Sequence, residues 1–247
     1  MPMLYLSPST QEGNFYVSGN TEEYYMNLLA NAMEPWLRSS GISFTRNTPD
    51  MTAASSIAAS NAGNYRLHLA LHSNASPEVS YGQTRGSIAF YYPGSTAGKR
   101  AADLIVKNLK MIYPLPDLVR AEATTAIGEV RRTRAPAVLL ELAYHDNVED
   151  AAWITGNLDA IARNLVLSLT EYFGLPLIEP GPVSVGTVSV RSGWLNIRSR
   201  PTTAAPVAAR AYNGARLILT GRYENWYSVE FGGVTGFASA DYIDEDE

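Results

Sequence analysis

The chain is predicted to be α/β: a mostly parallel twisted sheet flanked by helices, followed by a small all-β barrel. Three observations carry this. Short apolar runs alternate with helical patterns up to about Gly174, the alternation that builds a parallel sheet. Residues 175–183 contain Pro176, Pro180, Gly181 and Pro182, which makes a stiff, extended linker. Beyond it only short alternating runs remain, without a helical period. The expected organisation is therefore a first domain at 1–174, a linker at 175–183 and a second domain at 184–247.

Taken in order, residues 3–6 form a short apolar run stopped by Pro8, a first buried strand. Leu28, Leu29, Ala32, Met33, Trp36 and Leu37 repeat at three- and four-residue steps, so 21–40 reads as an amphipathic helix with Gly41 as its stop. Asn20 can cap it, and Pro35 removes one backbone donor inside it. Residues 42–45 give a second strand, 52–61 a helix of small residues, and 67–71 an apolar strand that runs into His72, Ser73 and Asn74. A strand at 87–92 and a helix at 97–112 follow. Residues 136–144 are nearly all apolar around Glu141, the pattern of a strand covered on both faces. One or two helices at 151–173 close the domain. In the second domain, runs at 186–190, 195–198, 208–212, 217–223, 226–231 and 235–238 are strands.

Composition narrows the function. There are 19 basic and 24 acidic residues, a net charge of −5, which argues against a general nucleic-acid surface. The last four residues, Asp244, Glu245, Asp246 and Glu247, are all acidic and read as a solvated, frayed end. Without cysteine there is no disulfide and no thiolate site, so any zinc needs His, Asp or Glu ligands. No stretch approaches the roughly 20 apolar residues of a membrane span, and the N-terminal residues show no signal-peptide pattern.

Chemistry is expected at the exit of the 67–71 strand, because sites in open α/β sheets lie beyond the carboxyl ends of the strands. His72 stands there. His68 shares its face but lies about 13 Å away along the strand, so the two cannot hold one ion; His68 reads as a hydrogen-bonded core residue. Glu141 is a carboxylate in an apolar run, which is costly unless paired, protonated or metal-bound. Arg131, Arg132 and Arg134 offer the salt-bridge alternative. Glu23 opens the long helix, where Asn20 and Glu23 also make a capping box. His145 can fold back toward Glu141 or fix its own loop.

Several stretches resemble a known family. Leu-His-Ser-Asn-Ala around His72, the helix start at Glu23, Thr45-Arg46, the strand after Gly86, and the segment from Pro136 through Glu141 and His145 to Asn147 are similar, in order and spacing over residues 3–173, to zinc-dependent N-acetylmuramoyl-L-alanine amidases. Leu195-Asn-Ile-Arg-Ser-Arg-Pro, Asn225-Trp-Tyr-Ser-Val and Gly236-Phe-Ala resemble a bacterial SH3 domain over about 184–243. The resemblance implies Zn2+ as cofactor, Glu23 and His72 as metal ligands, and Glu141 as the catalytic carboxylate. The family takes its first zinc histidine from a Pro-Gly-His-Gly-Gly loop, which here reads Pro8-Ser9-Thr10-Gln11-Glu12. His145 is the most available replacement ligand and Glu12 a weaker one. Thr10, Gln11, Asn74 and, in the barrel, Trp226 are the expected substrate contacts.

Two functions follow as expectations. The first is a peptidoglycan hydrolase that cleaves the amide between N-acetylmuramic acid and L-alanine by zinc-activated water. The second is a non-catalytic peptidoglycan-binding protein on the same scaffold, motivated by Thr10 at the histidine position. Both place the protein at the bacterial cell wall, reached by export or by lysis, with peptidoglycan as partner and neither nucleic acid nor a membrane span involved. In the barrel section, six arginines against three acids before the acidic end leave a net of about +3, which suits an anionic wall polymer.

Overall fold

The computed structural model describes residues 3–246. The chain divides into two compact units, one formed by the residues up to Met33 with Phe44–Tyr172, the other by Glu34–Ser43 with the residues from Phe173 onward.

The first unit is built on a six-stranded sheet. Its strands are β1 (Leu4–Pro8), β2 (Phe44–Arg46), β3 (Leu67–Asn74), β4 (Ser87–Tyr91), β5 (Val119–Ala123) and β6 (Ala137–Tyr144), in the order β2-β1-β3-β6-β4-β5. All neighbours are parallel except β4 and β6, which run antiparallel. The centre, β1, β3 and β6, is the part written in continuous apolar runs. Leu4, Leu6, Leu67, Leu69, Val138, Leu140 and Leu142 are fully buried, as strands covered on both faces require. Helices α1 (Glu22–Ser39), α2 (Ala53–Ala62), α3 (Thr96–Leu109), α4 (Gly128–Arg131), α5 (Val148–Gly156) and α6 (Leu158–Phe173) connect and flank the strands.

The expected pattern is present, with four differences. Strand β5 reads Val-Arg-Ala-Glu-Ala and lies at the sheet edge, where half its residues face water and the apolar signal disappears. Helix α4 spans only four residues, too few to show a period. Helix α1 begins one residue later than the Asn20 cap implies. Asn20 is left-handed, with φ 55°, and instead turns the chain after a bridge between Phe15 and Thr21; Thr21 Oγ1 then accepts the Tyr24 amide at 3.2 Å as the actual cap. The acidic end is not wholly frayed either, because Ile243–Glu245 forms a strand; Glu247 lies outside the described residues.

The second unit carries strands β7 (Ser184–Val188), β8 (Trp194–Arg198), β9 (Val207–Tyr212), β10 (Arg216–Tyr223), β11 (Trp226–Phe231), β12 (Val234–Ser239) and β13 (Ile243–Glu245), all paired antiparallel in the order β13-β7-β10-β11-β12-β8-β9. Its core is Val188, Leu195, Ile197, Leu217, Leu219, Tyr227, Val229 and Ile243. Residues of β8 alternate between this core and the outer face, the period-2 pattern that the sequence carries.

Candidate active site

The site is set by the pairing of β3 with β6. His72 sits directly beside Glu141 in this parallel register. Paired residues of neighbouring strands share a face of the sheet, so the imidazole and the carboxylate stand side by side. On the same face, two and four residues back along β3, are Ala70 and His68.

A carboxylate not recognised from the sequence joins these elements. Val130 of α4 is buried against Ala70 and Leu139, and this anchor places its neighbour Glu129 under β3. One Glu129 oxygen lies 3.2 Å from His68 Nε2 and 2.7 Å from the Ser7 hydroxyl, which donates to it. The other lies 3.2 Å from His72 Nε2. His68 and His72 cannot share an ion, yet one carboxylate spans both. His68 is otherwise a core residue, with Nδ1 3.0 Å from Ser60 Oγ.

At the opposite ring nitrogen the structure brings Glu22, not Glu23. Its carboxylate is buried and lies 2.8 Å from His72 Nδ1, and it accepts the Asn14 amide at 2.7 Å. Glu23 is half-buried, and its backbone carbonyl accepts from Asn27. The difference is the one-residue shift in the helix start: with Thr21 as cap, the first helical residue turns inward and the second outward.

Charges in this cluster fix one another. Burial alone would depress the His72 pKa, but the Glu129 and Glu22 carboxylates outweigh it and raise it to about 10. Burial likewise opposes ionisation of Glu129, yet hydrogen bonds from His68 and His72 bring it down to about 2. Glu22 is lowered against the same desolvation by His72, then by Asn14 and Ser9. Glu141 differs. Desolvation dominates and, despite the opposing His72 charge, raises it to about 7. Its Oε2 is buried without a hydrogen-bond partner among the described residues, so the alternative of an arginine salt bridge for that oxygen is not realised.

The other expected residues fall as follows. Gln11 places its amide nitrogen 3.2 Å from His72 Nδ1, and its oxygen accepts from Asn14 at 2.8 Å. Thr10 and Gln11 line a cavity of about 70 Å³ with Ser7, Asn47, Ser56, His72 and Glu129. His145 is buried, with Nδ1 3.1 Å from Ser73 Oγ and 3.0 Å from the Ser73 carbonyl; this is the loop-fixing alternative. Asn74 stabilises its own turn, accepting the Ala75 amide at 2.9 Å. Trp226 belongs to the second unit, where it lines a groove of about 640 Å³ with Trp194, Tyr242, Arg191, Arg198 and Asp241.

Among the described residues no group of three or more His, Cys, Asp or Glu is arranged to hold a metal. The donor chemistry fits zinc through two residues. Glu22 and the Nδ1 of His72 face one another, and Glu129 occupies the other ring nitrogen, as the outer carboxylate of a metal-bound histidine commonly does. Thr10 and Gln11, which stand where the family's first zinc histidine is expected, are not usual zinc ligands. Zinc held this way would leave its remaining positions to water and substrate.

The mixed sheet thus sets His72 beside Glu141, with the carboxylates of Glu22 and Glu129 at the two ring nitrogens. Residues 9–171 match the family model for N-acetylmuramoyl-L-alanine amidase, and 193–244 match that for a bacterial SH3 domain. The chain belongs to the N-acetylmuramoyl-L-alanine amidase family and carries a bacterial SH3 domain after it. Solved structures of similar fold include the catalytic domain of the amidase CwlV from Bacillus (Paenibacillus) polymyxa var. colistinus, at 19% identity and TM-score 0.60, with 71% of this chain and 100% of that one covered. The catalytic domain of the CD27L endolysin targeting Clostridia difficile matches at 22% identity and TM-score 0.56, covering 69% and 97%. The amidase Ami1 from Mycobacterium smegmatis matches at 13% and 0.60, covering 70% and 97%. No curated protein matches the chain.

Proposed function

We propose that this protein hydrolyses the amide bond between N-acetylmuramic acid and L-alanine of peptidoglycan, with Glu141 as the catalytic carboxylate. The observation that supports this most is Glu141 beside His72, with one oxygen free and its pKa near 7. A group that titrates at the working pH both takes and returns a proton efficiently. Glu141 withdraws a proton from water as the oxygen attacks the lactyl carbonyl. When the tetrahedral intermediate collapses, the carbon–nitrogen bond breaks and Glu141 passes that proton to the departing L-alanine amine. The products are a muramic acid carboxylate and a free amino terminus.

Zinc held by Glu22 and His72 would supply Lewis acidity, making water a better nucleophile near neutral pH and polarising the carbonyl. The chain's own part is to hold those donors still. Glu129 fixes the ring of His72 from behind, and Asn14 fixes the Glu22 carboxylate. Gln11, with its amide nitrogen 3.2 Å from His72 Nδ1, would meet the substrate amide. In the second unit, the groove of Trp194, Trp226 and Tyr242 offers aromatic faces for wall peptide or glycan, and its arginines suit an anionic polymer.

Thr10 at the position of the family's first zinc histidine is the observation that favours the second reading, a wall-binding protein without catalysis. Digestion of purified peptidoglycan separates the two. The amidase releases new L-alanine amino termini, and the Glu141→Gln variant releases none; intact peptidoglycan after incubation with zinc-supplemented protein would favour binding alone.

A further inference from the structure

The cavity beside His72 has an exposed rim and a buried wall. Gln11 and Ala53 at the rim are exposed, whereas Ser7, Asn47, Ser56 and Glu129 are buried. Most of the polar groups in it are bonded to one another. The Ser7 hydroxyl donates to Glu129 and lies 2.7 Å from Ser56 Oγ, Glu129 meets both His68 and His72, and Ser9 Oγ accepts the Gln11 amide at 3.2 Å. Asn47 is the exception. It follows β2, is only 4% exposed, and is clamped to β1: its backbone N–H donates to the Leu6 carbonyl at 3.2 Å and its Nδ2 to the Pro8 carbonyl at 3.0 Å. These bonds fix the side-chain amide, and its Oδ1 is buried without a hydrogen-bond partner among the described residues.

A buried acceptor without a donor is costly, and each instance asks for a reason. Sheet order shows what lies next to this one. With the strands in the order β2-β1-β3-β6, Glu141 flanks His72 on the β6 side and the cavity flanks it on the β1 side, neighbouring strands being about 4.8 Å apart. A substrate whose scissile carbonyl lies at His72 and Glu141 therefore brings an adjoining group to the cavity. Its volume of about 70 Å³, against the roughly 30 Å³ that a water takes in the liquid, admits only a few heavy atoms. Pro8 and Ala53 give it hydrocarbon, and Asn47 Oδ1 calls for an N–H. A methyl and an N–H together describe an acetamido group, and N-acetylmuramic acid carries one on the ring carbon next to its lactyl ether. Resting on the amidase reading above, we propose that this cavity is the subsite for the acetamido group of the muramoyl residue, with Asn47 Oδ1 accepting its N–H and Pro8 and Ala53 meeting its methyl. Asn47 is then a specificity residue, which touches substrate away from the reacting bond and takes no part in proton transfer. A site built to hydrogen-bond a substrate N–H rejects the analogue that lacks it, because the acceptor is left unpaired.

The test uses the full chain and a pair of synthetic muramoyl-L-alanyl peptides that differ at one ring position, acetamido in one and acetoxy in the other. The ester keeps the methyl and the carbonyl and loses the N–H. Release of L-alanine amino termini should proceed with kcat/KM about ten-fold or more lower on the acetoxy substrate, mostly through KM. Asn47→Ala should erase that preference: about a ten-fold loss on the acetamido substrate, and a change within about two-fold on the acetoxy one. Ala53→Leu narrows the cavity from its exposed rim and removes no hydrogen bond. It should raise KM about ten-fold on both substrates with an unchanged melting temperature; should Asn47→Ala fail to fold, this variant and the parent's own preference decide. Equal turnover of the two substrates by the parent overturns the inference and leaves the amidase reading intact. Equal losses on both substrates in Asn47→Ala make the residue structural and overturn it as well. A parent protein that releases no termini from either substrate overturns both.

Discussion

Glu141 and His72 are neighbours whose pKa values are both raised, Glu141 by burial and His72 by the carboxylates at its two ring nitrogens. Folded Glu141 keeps its proton up to about pH 7, against an ordinary value of 4.5. Between those limits the folded state binds more protons than the unfolded chain, so its contribution to stability falls as pH rises. Glu141→Gln should therefore melt higher than the parent at pH 8, by a margin on the order of 2 kcal/mol, while losing activity. In the parent, rate should rise with pH through about 7 as the base form accumulates. His72 acts the same way at higher pH: its stabilisation is complete below its ordinary 6.5 and is lost as pH climbs through about 10. Glu129 is the reverse, stabilising above 4.5 and failing as pH drops toward 2. Because Glu129 serves two buried histidines, Glu129→Ala should cost about 3 to 5 kcal/mol in denaturant unfolding, the range for removing one partner of a buried pair. An unchanged unfolding midpoint would mean that the two imidazoles find other partners.

At the scale of elements, the start of α1 decides which acid enters the site. Thr21→Ala should cost about 1 kcal/mol of stability through the lost cap, and should reduce kcat more than that loss explains, because Glu22 is no longer pinned against His72. Equal activity at saturating substrate would show that the cap is only structural. This element also marks where the sequence is legible. The central strands, with His72 and Glu141 at their matched ends, can be read because buried strands write continuous apolar runs in which a charge stands out. The difference between Glu22 and Glu23 cannot be read, because adjacent glutamates at a helix start are separated only by where the cap falls. Glu129 escapes for another reason: its helix is one turn long, and its role depends on β3 and α4 meeting across about 60 residues of chain. Its available signal is indirect, since a buried His68 requires a partner.

At the scale of the whole molecule, the proposal assigns chemistry to the amidase unit and attachment to the SH3 unit. No helix among the described residues is long and apolar enough to cross a membrane. The aromatic groove of the second unit is the feature suited to hold the wall. Trp226→Ala combined with Trp194→Ala should weaken co-sedimentation with insoluble peptidoglycan about ten-fold or more, given that buried aromatic anchors carry a large share of binding energy. Turnover of a small soluble muramoyl-peptide should stay within about two-fold of the parent, since that substrate does not need the groove. Equal losses on both substrates would assign the groove to catalysis and not to attachment.

Hydrolysis of the muramoyl–alanine amide by Glu141 is tested by looking for new amino termini when purified peptidoglycan is incubated with the protein. L-alanine termini should accumulate with the parent protein, rise in rate through about pH 7, and be absent with a folded Glu141→Gln variant. New termini on any other residue, or equal release by the variant, would contradict it.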